Sequence, residues 1–184
     1  YYIDSGEATI SGYQSGVSRI IVPETINSYQ VTSIGDRAFD SADITSIYIP
    51  SCVTSIGNKA FNNVTNAVIY YGGSSTDSFD SDWNNEGLVC YLNIAKNEIL
   101  LQDEMEFIKD PNDITSAIVS GHTNNANRVV IPASVTINNE ILAVKTIGES
   151  AFKGAEKLVN VRFDSNSNVK TIKSSAFADA ENLQ

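Results

Sequence analysis

Ile34-Gly35-Asp36-Arg37-Ala38-Phe39 returns as Ile56-Gly57-Asn58-Lys59-Ala60-Phe61, as Ile147-Gly148-Glu149-Ser150-Ala151-Phe152 and as Ile172-Lys173-Ser174-Ser175-Ala176-Phe177. Successive copies within each pair fall within the span of about 20 to 29 residues for one coil of a short-repeat solenoid. A second phrase precedes the first. Ile44-Thr45-Ser46-Ile47-Tyr48-Ile49-Pro50 is matched one repeat on by Asn66-Ala67-Val68-Ile69-Tyr70-Tyr71-Gly72, and later by Leu158-Val159-Asn160-Val161-Arg162-Phe163-Asp164.

Apolar and polar positions alternate at the end of this second phrase, with β-branched and aromatic residues, as in a strand with one buried face. Pro50 lacks a backbone donor and marks the point where the strand stops and the chain turns. Val53-Thr54-Ser55-Ile56 reads as a second short extended piece, and Gly57 to Phe61 as a turn plus one helical turn that buries Ala60 and Phe61. One repeat is therefore strand, turn, strand, helical turn, and the fold class is an α/β solenoid, mostly β, with short strands and short helical turns. Phe39, Phe61, Phe152 and Phe177 are expected to be buried at equivalent places.

A longer duplication contains these coils. Ala8-Thr9-Ile10-Ser11-Gly12-Tyr13 matches Ala117-Ile118-Val119-Ser120-Gly121-His122, and Arg19-Ile20-Ile21-Val22-Pro23 matches Arg128-Val129-Val130-Ile131-Pro132, both at the same offset with no gap between the phrases. The alignment slips by four positions before Ile34 meets Ile147, which places an insertion around Thr136 to Leu142. The expected organisation is a first module over 1–90, a connecting segment over 91–106 and a second module over 107–184, joined as one continuous solenoid. Gly72 to Trp83 reads as an acidic, turn-rich loop with Phe79 and Trp83 packed on the solenoid, and Leu88 to Leu92 as a strand. Asn97 to Asp113 fits either a hairpin or a short helix. The sequence stops where another strand would begin, as a trimmed array would.

Composition narrows the function classes. Among 184 residues, 22 Asp and Glu outnumber 12 Lys and Arg, for a net charge of −10. No basic face is available to neutralise phosphates, so nucleic acid is not the expected partner. No apolar run approaches the roughly 20 residues of a membrane helix, so membrane insertion by this segment is not expected. Residues 1–4 lack the charged and apolar regions of a signal peptide.

The phrases Ile47-Tyr48-Ile49-Pro50, Val53-Thr54-Ser55-Ile56-Gly57 and Ala60-Phe61, and the longer Ile131-Pro132 to Phe152, resemble the BspA-type leucine-rich-repeat family of bacterial and protist cell-surface proteins. The family often carries Cys shortly after the Phe; here that region holds Ala42, Val64, Ala155 and Ala180. The resemblance implies a right-handed coil displayed outside the cell and used for adhesion or recognition, with no catalytic residues and no cofactor.

Side chains on a strand alternate between faces, so if Ile47 and Ile49 point inward, Ser46 and Tyr48 point outward. The same register sends Arg19 and Ile21, Val68 and Tyr70, Arg128 and Val130, and Asn160 and Arg162 outward. Arg and Tyr anchor binding hot spots. The candidate ligand surface is therefore Arg19, Ser46, Tyr48, Val68, Tyr70, Arg128, Asn160 and Arg162, with Tyr48 and Tyr70 as an exposed aromatic ladder. The plainer alternative is an ordinary solvated strand face.

Other residues carry weaker chemistry. Cys52 and Cys90 have neither disulfide-framework nor metal-site spacing and read as buried free thiols. His122, the lone histidine, takes the place of Tyr13 and reads as structural. Asp77, Asp80 and Asp82 lack the Gly and terminal Glu of an EF-hand loop, so no metal site is expected. Asn63-Val64-Thr65 fits the glycosylation pattern, which matters only in a eukaryotic secretory route. No nucleophile elbow and no phosphate loop occurs. The expected function is a monomeric, non-enzymatic, extracellular module binding a protein or glycan; the alternative is a spacer or stalk in a larger surface protein.

Overall fold

The computed structural model describes residues 1–184, which divide into two compact units, Tyr1–Lys96 and Asn97–Gln184. Residues 91–106 fall on both sides of that division. The first unit holds β1 (Tyr2–Asp4), β2 (Glu7–Ile10), β3 (Arg19–Ile21), β4 (Thr25–Ile26), β5 (Tyr29–Ile34), β6 (Ser46–Ile49), β7 (Ser55–Ile56), β8 (Val68–Tyr71) and β9 (Val89–Tyr91). Two sheets form its walls. In one, β2, β5 and β7 run parallel, aligning Ile10 with Ile34 and Ile34 with Ile56. In the other, β3, β6, β8 and β9 run parallel, aligning Ile20, Ile47, Ile69 and Cys90. Ile34, Ile47, Ile56 and Ile69 from these walls join Phe39 and Phe61 in one buried cluster. Strands of successive coils stack side by side in each wall, so the apolar position recurs from coil to coil and stacks on itself.

The second unit holds β10 (Leu100–Gln102), β11 (Met105–Asp110), β12 (Asp113–His122), β13 (Arg128–Ile131), β14 (Ser134–Ile137), β15 (Glu140–Ile147), β16 (Asn160–Phe163) and β17 (Thr171–Ile172). Here β12, β15 and β17 run parallel, with Val119 beside Ile147 and Ile147 beside Ile172. The opposite wall is the parallel pair β13–β16. Met105, Phe107, Val129, Ile131, Phe152 and Leu158 share its core.

Hairpins with two-residue turns recur, and their positive-φ pairs explain them. Asn27-Ser28 (φ 48° and 70°) joins β4 to β5, and Asn138-Asn139 (50° and 66°) joins β14 to β15. Consecutive left-handed residues give a turn whose twist matches that of the strands it links. The first hairpin has two residue pairs and the second four. The slip in the duplication is thus an equal lengthening of both arms. Asp103-Glu104, at 51° and 64°, makes the same turn between β10 and β11 and settles Asn97 to Asp113 as mostly hairpin, preceded by a single 3₁₀ turn at Lys96–Glu98.

The expected helical turns are absent. In each repeat the residue before Ala-Phe is left-handed: Arg37, Lys59, Ser150 and Ser175 have φ of 53°, 51°, 56° and 53°. A right-handed helix cannot pass through such a residue. Alternate amides also leave the local chain. The Arg37, Phe39 and Ser41 N–H groups donate to the Asn58, Ala60 and Asn62 carbonyls of the next coil at 3.1, 2.8 and 2.8 Å. Those of Ala38, Asp40 and Ala42 close short local turns onto Gly35, Arg37 and Phe39. Bonding between coils displaces the bonding along the chain that a helix needs. Gly57 sits in this close approach: a Cβ there would come within 2.2 Å of the Asp36 carboxylate.

Candidate binding surface

Strand register sets the outward row. Arg19 lies beside Ser46 and Ser46 beside Val68; Ile21 lies beside Tyr48 and Tyr48 beside Tyr70. In the second unit Arg128 lies beside Asn160 and Val130 beside Arg162. Neighbouring strands sit about 4.8 Å apart, so each row is close enough for its side chains to act together.

The two units differ in what the row exposes. Ser46, Tyr48, Val68 and Tyr70 are buried, with Tyr48 8% and Tyr70 1% exposed. An aromatic ladder open to water, expected from strict alternation, is therefore not present. The cause is legible in the strands themselves. Ile47-Tyr48-Ile49 and Val68-Ile69-Tyr70-Tyr71 contain no charged member, and every residue of β6 and β8 is buried. Such near-continuous apolar runs belong to strands covered on both faces. Tyr70 stacks on Tyr91 with centroids 6.0 Å apart and planes 15° off parallel. Arg19 is half-buried.

β13 keeps its alternation: Val129 and Ile131 are buried while Arg128 and Val130 are exposed. Arg162 and Phe163 on β16 are also exposed, and Asn160 is half-buried. Arg128, Val130 and Arg162 thus form a compact patch of two guanidinium groups around an aliphatic side chain that is 51% exposed. In a chain of net charge −10 this patch is locally basic.

Aromatic rings line the interior instead. Tyr13, Phe39, Phe61 and Trp83 follow one another at centroid distances of 5.9, 5.3 and 6.1 Å, and His122, Phe152 and Phe177 at 5.9 and 5.2 Å. Phe39, Phe61 and Phe152 are buried, whereas Phe177 is only partly so. Trp83 as the next rung went unrecognised in the sequence, although it follows Phe61 by the same interval that separates Phe61 from Phe39. Phe79 joins the core beside it, 5.2 Å from Trp83.

The His122 Nδ1 is 2.9 Å from the Ala151 carbonyl, which places a donated N–H there. Burial lowers the His122 pKa, against the opposing pull of that carbonyl and the Glu106 carboxylate. Cys52 and Cys90 are free thiols, part-buried rather than fully enclosed. Burial pushes the Cys90 thiol up to about 12, and burial with the Glu24 charge raises Cys52. Asp80 accepts from the Asn58 side-chain amide at 3.1 Å and from the Asp82 N–H at 2.9 Å, so it ties one coil to another. No group of three or more His, Cys, Asp or Glu side chains is placed to hold a metal ion. No helix is long and apolar enough to cross a membrane.

The sequence profile described as the BspA type leucine rich repeat region matches residues 13–82 and 122–184, in six copies. No curated protein matches the chain in sequence. Among solved structures, a leucine-rich repeat protein from Bacteroides capillosus is 23% identical, with a TM-score of 0.35, over 47% of this chain and 87% of that one. The pneumococcal vaccine antigen PcpA is 18% identical, with a TM-score of 0.45, over the whole of this chain and 53% of that one. A leucine rich cell surface protein from Faecalibacterium prausnitzii is 14% identical, with a TM-score of 0.29, over the whole of this chain and 81% of that one. With its profile match spanning both units and the stacked strands and rings of its coils, the chain belongs to the BspA-type leucine-rich-repeat family.

Proposed function

We propose that this protein is a non-enzymatic recognition or adhesion module that works outside the cell and binds a protein or glycan through the β13–β16 face. The observation that carries this reading is the exposed, in-register grouping of Arg128, Val130 and Arg162. Two guanidinium forks beside an aliphatic surface suit carboxylate-bearing ligands, because Arg pairs bidentately with carboxylates while its stem and Val130 supply apolar contact. Acidic glycans and acidic protein loops both have that chemistry. The two-sided burial of β6 and β8 favours a second, structural reading for the first unit, as a spacer that offers no ligand on its own strand face.

An array of acidic and neutral glycans and of surface proteins, probed with the whole chain, tests the reading. Hits should lie among acidic ligands, and the Arg128→Ala, Arg162→Ala double variant should lose them while keeping its melting temperature. An unchanged hit pattern would remove the β13–β16 face from consideration.

A further inference from the structure

The second hairpin carries two residue pairs that the first lacks. Ser134 with Ala143 and Val135 with Leu142 match Thr25 with Gln30 and Ile26 with Tyr29, so the added pairs are Thr136 with Ile141 and Ile137 with Glu140. Ile137 stays in the core, whereas Thr136 is exposed and Ile141 is 78% exposed. Ile114 lies beside Ile141, because each stands two residues before the pair Ser116–Ala143 on parallel strands, and it is 71% exposed. Thr136, Ile141 and Ile114 therefore form one row across β14, β15 and β12, with two large aliphatic side chains open to water.

That row ends at an unpaired edge. β14 is the outermost strand on its side of the sheet. The Ala133 carbonyl accepts from the Val144 N–H at 3.0 Å, and alternate residues of an antiparallel strand bond to the same side. Val135 and Ile137 thus bond towards β15, and the main-chain groups of Ser134 and Thr136 point the other way. Exposed edges are ordinarily guarded by a charge, a proline or a bulge. β14 reads Ser134-Val135-Thr136-Ile137, pairs with β15 without a register shift and has none of these. The first hairpin differs here too, since Glu24 stands where the second has Ala133.

We propose that β14 pairs antiparallel with β14 of a second copy of this chain, about a two-fold axis at Thr136, to make a reversible dimer. A two-fold sets a surface against itself, so a charged edge would repel its own copy. Here Thr136 meets Thr136, Val135 meets Ile137 and Ser134 meets Asn138, and no charge opposes its like. The charges nearest the row are paired within the chain, Lys109 with Glu140 and Lys145 with Asp113, so the patch is neutral in a chain of net charge −10. Main-chain hydrogen bonds join the edges, and the row of Ile114, Ile141 and Thr136 runs on into the second copy. The strand is short, so the contact falls at the low end of interface sizes, under about 1,200 Å², and the dimer is a weak one.

Sedimentation velocity of the whole protein, from micromolar to millimolar, should show the coefficient rising from that of a monomer towards that of a dimer. Thr136→Lys and Thr136→Glu are exposed changes that leave the circular dichroism spectrum unaltered. Each should weaken association at least tenfold, and an equimolar mixture of the two should restore it, since opposite charges then face each other. Thr136→Cys should cross-link two copies under mild oxidation, unlike the parent, whose Cys52 and Cys90 are part-buried. Ile141→Cys, also exposed but three strand spacings or roughly 14 Å from its mate, should not. The Arg128→Ala, Arg162→Ala variant should dimerise as the parent does, which separates this contact from the β13–β16 face. A monomer at every concentration, association indifferent to Thr136→Lys, or no recovery in the mixture would overturn the proposal.

Discussion

Phe39 and Phe61, one coil apart in sequence, stack with centroids 5.3 Å apart and planes 9° off parallel. Each ring belongs to one coil, and the contact between them is the contact between coils. Neither ring has a partner of this kind within its own repeat, so the stack is a nearest-neighbour interface term of the sort that sums along a solenoid. Offset aromatic pairs add about 0.5 to 1.5 kcal/mol beyond the area they bury.

Phe61→Ala should therefore be costly. The ring is fully buried between Phe39 and Trp83, and its loss leaves a cavity worth about 3 to 5 kcal/mol. Phe177→Ala, at a partly buried rung, should cost less than Phe152→Ala. Urea melts of the three variants check the order. A loss below about 1 kcal/mol for Phe61→Ala would contradict its placement, since that is the range of surface changes.

The left-handed position before Ala-Phe makes an unusual prediction. Lys59 holds φ at 51°, which costs a side-chain-bearing residue roughly 1 to 2 kcal/mol relative to glycine. Glycine loses more backbone entropy on folding, by about 0.4 to 1 kcal/mol, and this offsets part of the gain. Lys59→Gly should thus be neutral or stabilising by up to about 1.5 kcal/mol, the difference of those terms, while Lys59→Val destabilises. The opposite order in thermal melts would mean that the turn is right-handed after all.

His122 should give the second unit a pH dependence. Its folded pKa lies below the usual value of 6.5 because burial disfavours the charged ring. Below 6.5 the unfolded chain binds a proton that the folded chain refuses, so stability is full above that pH and declines as pH falls through the folded value. Asp113, hydrogen-bonded by Lys145, Thr115 and Ser116, is also lowered, from 3.8, so its contribution is lost only in a separate, more acidic window. His122→Phe should abolish the upper dependence and spare the lower. Denaturant midpoints measured from pH 2 to pH 8 cover both windows, and a fall between pH 8 and pH 4 that is equal for parent and variant would assign the upper effect to other groups.

Cys90 should be slow towards thiol reagents. With its thiol pushed up to about 12, almost no thiolate is present at pH 8, and the thiolate is the nucleophile. Labelling with iodoacetamide should proceed in urea and stall in the native protein at Cys90, with Cys52 also slowed. Native labelling of Cys90 at the rate of a free peptide thiol would show that the residue is open to water.

Much of this architecture was determined by the sequence alone, because in a solenoid each repeat must make the same contacts with its neighbours. The recurrence of Ile-Gly-x-x-Ala-Phe in neighbouring coils carries the coil itself, the parallel alignment of Ile34 with Ile56 and of Tyr48 with Tyr70, and the stack of Phe39 on Phe61. The alternating strand at Arg128–Ile131 likewise shows its open face in its own residues. Three things were left to the tertiary structure. The Gly-to-Phe turn is not helical because its amides bond to the next coil, a partner that no local propensity registers. Trp83 serves as a rung without its Ile-Gly-Ala-Phe phrase, since stacking on Phe61 requires only an aromatic ring at the right height. The closed faces of β6 and β8 followed the apolar character of whole strands rather than their register, because alternation says which residues share a side but not whether that side meets water.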